Sequence, residues 1–536
     1  MAADTIEASA ATSAQSPIPR RRRIAVSTAI FAVATAASRV AGLGREILAY
    51  GFFGTTKAMS AFTLAAQVPN LVSNLFSQAA LSAAFVPVFT ELMHEGRKRD
   101  AFRLAATLFW IILIALVALT GVWTLLAGVI APLFTGSGIP IGLTVGLSRV
   151  LFPVVLLLSL TGLIVGVLQA YDEFSIPAVA PAVWNVVIIV VLVLLRPQFH
   201  QHIYAYAVAW LVATVVQLAM VAFALRRIDF RLSLTVDWRD PRVRQVFVLF
   251  IPVTLSIGII NLDAFLNAGF GSLVSKQAPA AINGAFRIYM LPQGVFSVAV
   301  ATVLFPTLSR FAVQRNPGGM RRALGNGMRQ INLLLIPSAG LLLVLATPIT
   351  RLIYQRGAFT AQSTHLVSTA LVWFAVSLPF AGINLLLTRT FFALQRPWIP
   401  TRLAAMNMAV DAIVSIALYK PLGIAGLVIG TAVANLVMTV LQLHRLRVGF
   451  NGRLEGGQTL MITVRILVAS ILMAALGRGV WVGLNDLLGQ SLAAQIVAVG
   501  VAVSAACLLY GKAVLTMRIP EAYQIQSLVL RRLGGA

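Results

Sequence analysis

Fourteen apolar runs, each about as long as a bilayer is thick, follow one another along the chain and leave little room for any other architecture. A helix needs roughly 20 mostly apolar residues to cross the hydrocarbon core. Only helices and closed barrels satisfy their own backbone there. The runs lie at approximately 24–53, 58–90, 103–131, 141–170, 177–196, 203–225, 245–273, 280–309, 328–350, 364–391, 401–419, 423–443, 461–483 and 491–515. They lack the alternation over about 10 residues that marks barrel strands. Charged residues make up 11% of the chain, against about 25% in a soluble domain. The expected class is an all-α integral membrane protein with about fourteen transmembrane helices.

Charge placement orients the spans. With the N-terminus in the cytoplasm, 30 of the 41 Lys and Arg residues fall in cytoplasmic tails and loops and 7 in outer loops. This bias predicts that both termini are cytoplasmic. One cytoplasmic loop, YDEFS (171–175), dissents with two acids and no base. The net charge of +25 is thus a topology signal, and no basic domain with interleaved aromatics offers itself to nucleic acid. Residues 1–23 read as a disordered basic tail, and the run after Arg23 as an uncleaved first span rather than a signal peptide. A single cysteine, Cys507, excludes an internal disulfide and a CxxC site. No P-loop, GxSxG or HExxH pattern occurs, so no enzyme is expected.

The chain also repeats itself. Phe62, Pro69, Pro87, Pro177 and Asn185 recur as Phe286, Pro292, Pro306, Pro400 and Asn407, at offsets of 224, 223, 219, 223 and 222 residues. The shift covers six spans, an even number, so the copies enter the membrane in the same sense. Two six-helix lobes are expected, 24–226 and 227–447, related by an axis along the membrane normal, with a substrate site between them. A helix pair at 448–517 and a cytoplasmic tail at 518–536 complete the domain plan.

Charges inside spans mark function, since an arginine at bilayer depth costs roughly 2.5–3.5 kcal/mol on insertion scales. Arg39 and Arg45 lie in SRVAGLGRE (38–46), and Arg287 lies in the eighth span. Guanidinium forks suit phosphate, so these three are candidate receivers of a phosphorylated head group. The competing reading for Arg45 is a local pair with Glu46 or snorkelling; for Arg39 and Arg287 it is a structural pair. Arg149, near an outer end, is read as an interfacial residue. Asp411 follows Asn407 by four residues and shares its helix face. With Asp263 and Thr431 they form a candidate oxygen-ligand set for a small cation. Hydrogen-bonded acids and protonation coupling are the alternatives. Pro292 with Gly294, and Pro306, mark places where a span bends or breaks.

SRVAGLGRE, VPNLVSNLFSQAALSAAFVPVF (68–89), SIPAVAPAVWN (175–185) and FRIYMLPQGVFSVAVATVLFPTLS (286–309) resemble the MurJ/MviN lipid II flippases of the MOP exporter superfamily, over roughly residues 25–515. The resemblance implies a transporter of lipid II, or a similar polyprenyl-pyrophosphate lipid, from inner to outer leaflet of a bacterial inner membrane. It implies substrate contacts at Ser38, Arg39, Arg45, Gln78, Asn185 and Arg287, and a sodium site at Asp263, Asn407, Asp411 and, with a gap, Thr431. No other cofactor is implied. The last helix pair corresponds to a lipid-tail groove, and cell-wall synthesis proteins are the candidate protein partners. The chain departs from the family at Ser60, Ser73, Asn74 and Gln78, where charged residues are common. That thinning keeps a flippase for another lipid-linked oligosaccharide as the alternative. A membrane scaffold that recruits cell-wall enzymes is the alternative from another class.

Overall fold

A computed structural model describes the backbone of residues 17–526 apart from 77, 137, 172, 174, 229–232, 234–236, 451–454 and 525. Side chains are described in this range except at 17–32, 73–84, 87, 227, 249, 251–261, 263 and 264. Among the described residues every element is helical, and eleven helices are long and apolar enough to cross a membrane. Three more stand where the first, second and seventh spans are expected: Pro17–Phe53, Lys57–Phe76 with Gln78–His94, and Pro241–Val274. The sequence thus supplied the span order correctly.

Proline and glycine shape the spans as their chemistry requires. The eighth is a helix from Ala278 to Pro292, a π-helical turn over Gln293–Ser297, and a helix from Val298 to Val313. Pro292 has no N–H to donate, so the regular ladder breaks there, and the wider turn absorbs the mismatch. The ninth starts on a side-chain cap, Asn316 Oδ1 accepting from Gly319 N at 2.9 Å.

Burial echoes the six-span repeat. The most apolar stretch is 72% buried in the fourth span (Ile141–Ala170) and 67% in the tenth (Ala361–Ala393). It is 28% and 17% in the fifth (Ser175–Gln198) and eleventh (Trp398–Leu422), and 44% in both the sixth (Ile203–Ala224) and twelfth (Ile424–Gly449). The third (Lys98–Phe134) and ninth (Pro317–Val344) break the pattern, at 33% and 61%. The cause is the C-terminal pair, Gly456–Leu488 and Leu492–Thr516. Ile462, Ile466 and Val514 pack with Leu333 of the ninth span. Asn332 Nδ2 donates to Thr463 Oγ1 at 3.0 Å, and Tyr510 Oη to Leu333 O at 2.6 Å. Beside them Arg329, buried in the ninth span, donates from Nε to Glu521 and from Nη1 to Glu455 at 3.2 Å.

The chain forms two compact units. The first comprises Met1–Leu48, Val72–Trp123 and Val150–Thr254; the second comprises Ala49–Leu71, Thr124–Arg149 and Leu255–Ala536. In the first, Ile164, Val165 and Leu168 of the fourth span pack with Ala180, Val221 and Ala224. In the second, the ends of the earliest spans dock on later ones. Ala358 N donates to Gly51 O at 2.8 Å. Glycine is required on both sides: a Cβ on Gly357 would stand 2.4 Å from Gly51 O, and one on Gly54 2.5 Å from Ala358 O, both at positive φ. Tyr50 sits against Tyr354 and Phe359, with ring centroids 4.7 and 5.9 Å away, and its hydroxyl donates to Ala280 O at 2.8 Å. Thr55 Oγ1 donates to Ser363 Oγ at 2.8 Å.

Candidate functional site

The arginines of the first span part company. Six residues turn an α-helix through about 600°, so Arg39 and Arg45 leave the axis some 120° apart. Arg39 is exposed. Arg45 is 6% exposed, bonded to Glu46, with its guanidinium over the rings of Trp184 and Trp210 at 5.0 and 5.4 Å. Trp184 is itself fixed by donation from Nε1 to Thr214 Oγ1 at 3.0 Å. The Arg45–Glu46 adjacency is visible in the sequence; the two tryptophans, brought in from the fifth and sixth spans, are not.

Two turns before this pair, the fifth span is stitched to the first. Asn185 Nδ2 donates to Ser38 O at 3.4 Å and to Pro181 O at 2.9 Å. Gly42 faces the Asn185 amide at this crossing; a Cβ there would be 3.6 Å from Oδ1, in ordinary van der Waals contact. Asn185 Oδ1 is buried and has no hydrogen-bond partner among the described residues.

Arg287 is half-buried in the helix that precedes the π-helical turn. Its neighbours in sequence, Phe286 and Tyr289, make tilted ring contacts with Phe374, centroids 5.7 and 5.3 Å away. Ser60 is fully buried, and its Oγ accepts from Ala280 N at 3.4 Å, so this departure from the family pattern serves packing. The backbones of Gln78 and Asp263 are helical; their side chains, like those of Ser73 and Asn74, lie outside the described residues.

The acidic cluster is built around Asp411, which is 2% exposed. Its Oδ2 accepts from Asn267 Nδ2 at 2.8 Å and Thr431 Oγ1 at 3.1 Å, and its Oδ1 from Ser415 Oγ at 3.0 Å. Asp411 and Thr431, candidates from the sequence, thus meet. Asn407 lies one turn away, its Oδ1 buried and without a partner among the described residues. Asn267 and Ser415 were missed, although each lies four residues beyond a candidate, Asp263 and Asp411, on the same helix face. Gly430 leaves the room: a Cβ there would stand 2.6 Å from Asp411 Oδ1 and 2.3 Å from Ser415 Oγ. A buried carboxylate, two hydroxyls and an orphaned amide oxygen are hard donors and fit a small cation such as sodium. Among the described residues no three His, Cys, Asp or Glu stand together.

A family model described as lipid II flippase MurJ matches residues 49–502. The lipid II flippase MurJ of Burkholderia cenocepacia is 30% identical over 423 residues, covering 77% of this chain and 82% of that one. The probable lipid II flippase MurJ of Rhizobium tropici is 33% identical over 432 residues, covering 77% and 79%. Among solved structures, a lipid II flippase MurJ in an inward closed conformation superposes with a TM-score of 0.77 at 21% identity, over 91% of this chain and 99% of that one. An inward-facing multidrug resistance MATE family transporter of the MOP superfamily gives 0.65 at 15% identity, over 77% and 94%. At these identities the two structures bear on the fold alone.

Proposed function

The chain belongs to the MurJ family of lipid II flippases, and from that premise we propose that it carries lipid II from the inner to the outer leaflet of a bacterial inner membrane. The match of the family model over residues 49–502 is the observation that carries the reading. The pyrophosphate-sugar head crosses by alternating access while the polyprenyl tail stays in lipid, and movement of the lobes 24–226 and 227–447 exposes the head first inside, then outside. Both termini lie in the cytoplasm, where 30 Lys and Arg residues then fall.

Within this reading Arg39, exposed in the first span, and Arg287 pair with the pyrophosphate. Arg45 acts through Glu46 and the tryptophans, holding the helix that presents Arg39 and Ser38. The Asn185 amide oxygen, buried without a partner among the described residues, accepts from a substrate hydroxyl or amide, and Gln78 adds a neutral contact. Asp411, Asn407, Thr431 and Asp263 hold sodium. Bound there, the ion supplies a charge that the membrane potential drives, worth about 2.3 kcal/mol per 100 mV. The thinned charges at Ser60, Ser73, Asn74 and Gln78 favour a second reading, a flippase for another polyprenyl-pyrophosphate sugar.

Complementation separates the readings. In cells depleted of the native protein, Arg39→Ala and Arg287→Ala are expected to be made normally yet to leave lipid II head groups inaccessible from outside. Normal outward appearance with both variants would remove the transport role of these arginines and favour a scaffold that recruits cell-wall enzymes. Binding of purified protein to a different polyprenyl-pyrophosphate sugar in preference to lipid II would select the second reading.

A further inference from the structure

The Asp411 cluster does not end at Thr431. Along the twelfth span Thr431, Asn435, Thr439 and Gln442 recur at intervals of four, four and three residues, so they share one helix face. Asn435 Nδ2 donates to Thr431 O at 3.0 Å. From the tenth span Asn384 donates to Asn435 Oδ1 at 3.2 Å and accepts from Thr439 Oγ1 at 2.7 Å. One turn further, Gln442 Nε2 donates to Thr388 Oγ1 at 3.0 Å. Asn384 and Thr439 are 6% and 5% exposed, and Gln442 is fully buried.

We infer that this ladder is a conduit by which a small monovalent cation passes between the Asp411 site and the end of the twelfth span that bears Arg445 and Arg447. The inference rests on the cation reading of Asp411 given above and extends it from a site to a route. From Thr431 to Gln442 the helix rises about 16 Å, roughly half of the hydrocarbon core. The ladder offers carbonyl and hydroxyl oxygens at each turn, the ligands that replace the water of a hard cation.

Simple interhelical bonding accounts for less of the arrangement. Neutral side-chain bonds between membrane helices add only modestly to stability. Gln442 is an expensive choice for that purpose, because its Oε1 is buried with no partner among the described residues. An acceptor left unmade in an apolar surrounding carries the full cost of its desolvation. A passing cation supplies the missing partner. At the opposite end of the same unit the helices are closed around Tyr50, Tyr354 and Phe359, so the ladder leads away from the closed side.

The test uses radiolabelled sodium on the full-length purified protein, measuring equilibrium binding and the rate of release when unlabelled sodium is added. Asp411→Asn removes the site and is the binding control. Thr439→Val keeps the side-chain shape and removes the hydroxyl; Gln442→Met keeps length and removes both amide atoms. Both are expected to bind sodium within about twofold of the parent and to release it about tenfold more slowly, a barrier increase on the order of one lost ligand contact. Should Gln442→Met fail to fold, the isosteric Thr439→Val decides alone. Unchanged release rates with intact parental binding would overturn the conduit and leave the Asp411 site standing. Absence of sodium binding by the parent protein would overturn the cation reading, and the conduit with it.

Discussion

Arg39 and Arg45 show how little a residue's identity decides before its helix face is known. Both stand in SRVAGLGRE, but one side chain is exposed and the other is sealed against Glu46, Trp184 and Trp210. Removing one member of a buried ion pair costs about 3–5 kcal/mol, because its partner stays charged and dry. Arg45→Ala is therefore expected to lower the melting temperature of the purified protein sharply, and Arg39→Ala to leave it unchanged while transport falls. Equal melting temperatures would contradict this division. Gly430 makes a second prediction at this scale. A methyl group there meets Asp411 and Ser415, so Gly430→Ala is expected to weaken sodium binding while the helices stay assembled, read by radiolabelled binding beside circular dichroism. The spacing Asn407–Asp411 was legible because periodicity fixes a shared face. Asn267 reaches Asp411 from 144 residues away, and no single-chain pattern reports such a distance.

Elements were more legible than residues. Hydropathy and basic residues gave the spans and their order, since a bilayer imposes one length on them all. The repeat, seen as an offset near 222 residues, reappears as matched burial of the fourth and tenth spans and of the sixth and twelfth. Pro292 announced a break in the eighth span, but not that a π-helical turn would absorb it, because that depends on neighbours that carry the widened turn. A proline inside a helix costs about 3 kcal/mol or more where its surroundings do not adapt. Pro292→Ala is accordingly expected to raise the melting temperature and slow transport, by removing the bend five residues beyond Arg287. Faster transport in the stabilised variant would show that the break has no part in movement.

For the whole molecule, the contacts furthest apart in sequence hold its ends. Arg329 joins Glu455 and Glu521, a triad that sequence reading did not foresee because its members lie 126 and 192 residues from the arginine. Glu521→Ala is expected to destabilise the protein, by less than the about 3–5 kcal/mol of a fully broken buried pair because Glu455 still accepts from Arg329; thermal melts with and without the substitution measure it. At the other end, Gly357→Ala forces a methyl against Gly51 O. In a chain carrying Cys507→Ser and Thr55→Cys, this change is expected to increase labelling by a membrane-impermeant maleimide, since Thr55 is otherwise 1% exposed. Unaltered labelling would mean that the glycine contact does not hold this end shut.

That closure joins amides, carbonyls, hydroxyls and aromatic rings: Gly51 with Ala358, Tyr50 with Ala280, Thr55 with Ser363. None of these bonds gains or loses a proton in the acidic or neutral range, and none is an ion pair that dissolved salt weakens. These contacts therefore hold with the same strength from acid to neutral conditions and from dilute to concentrated salt.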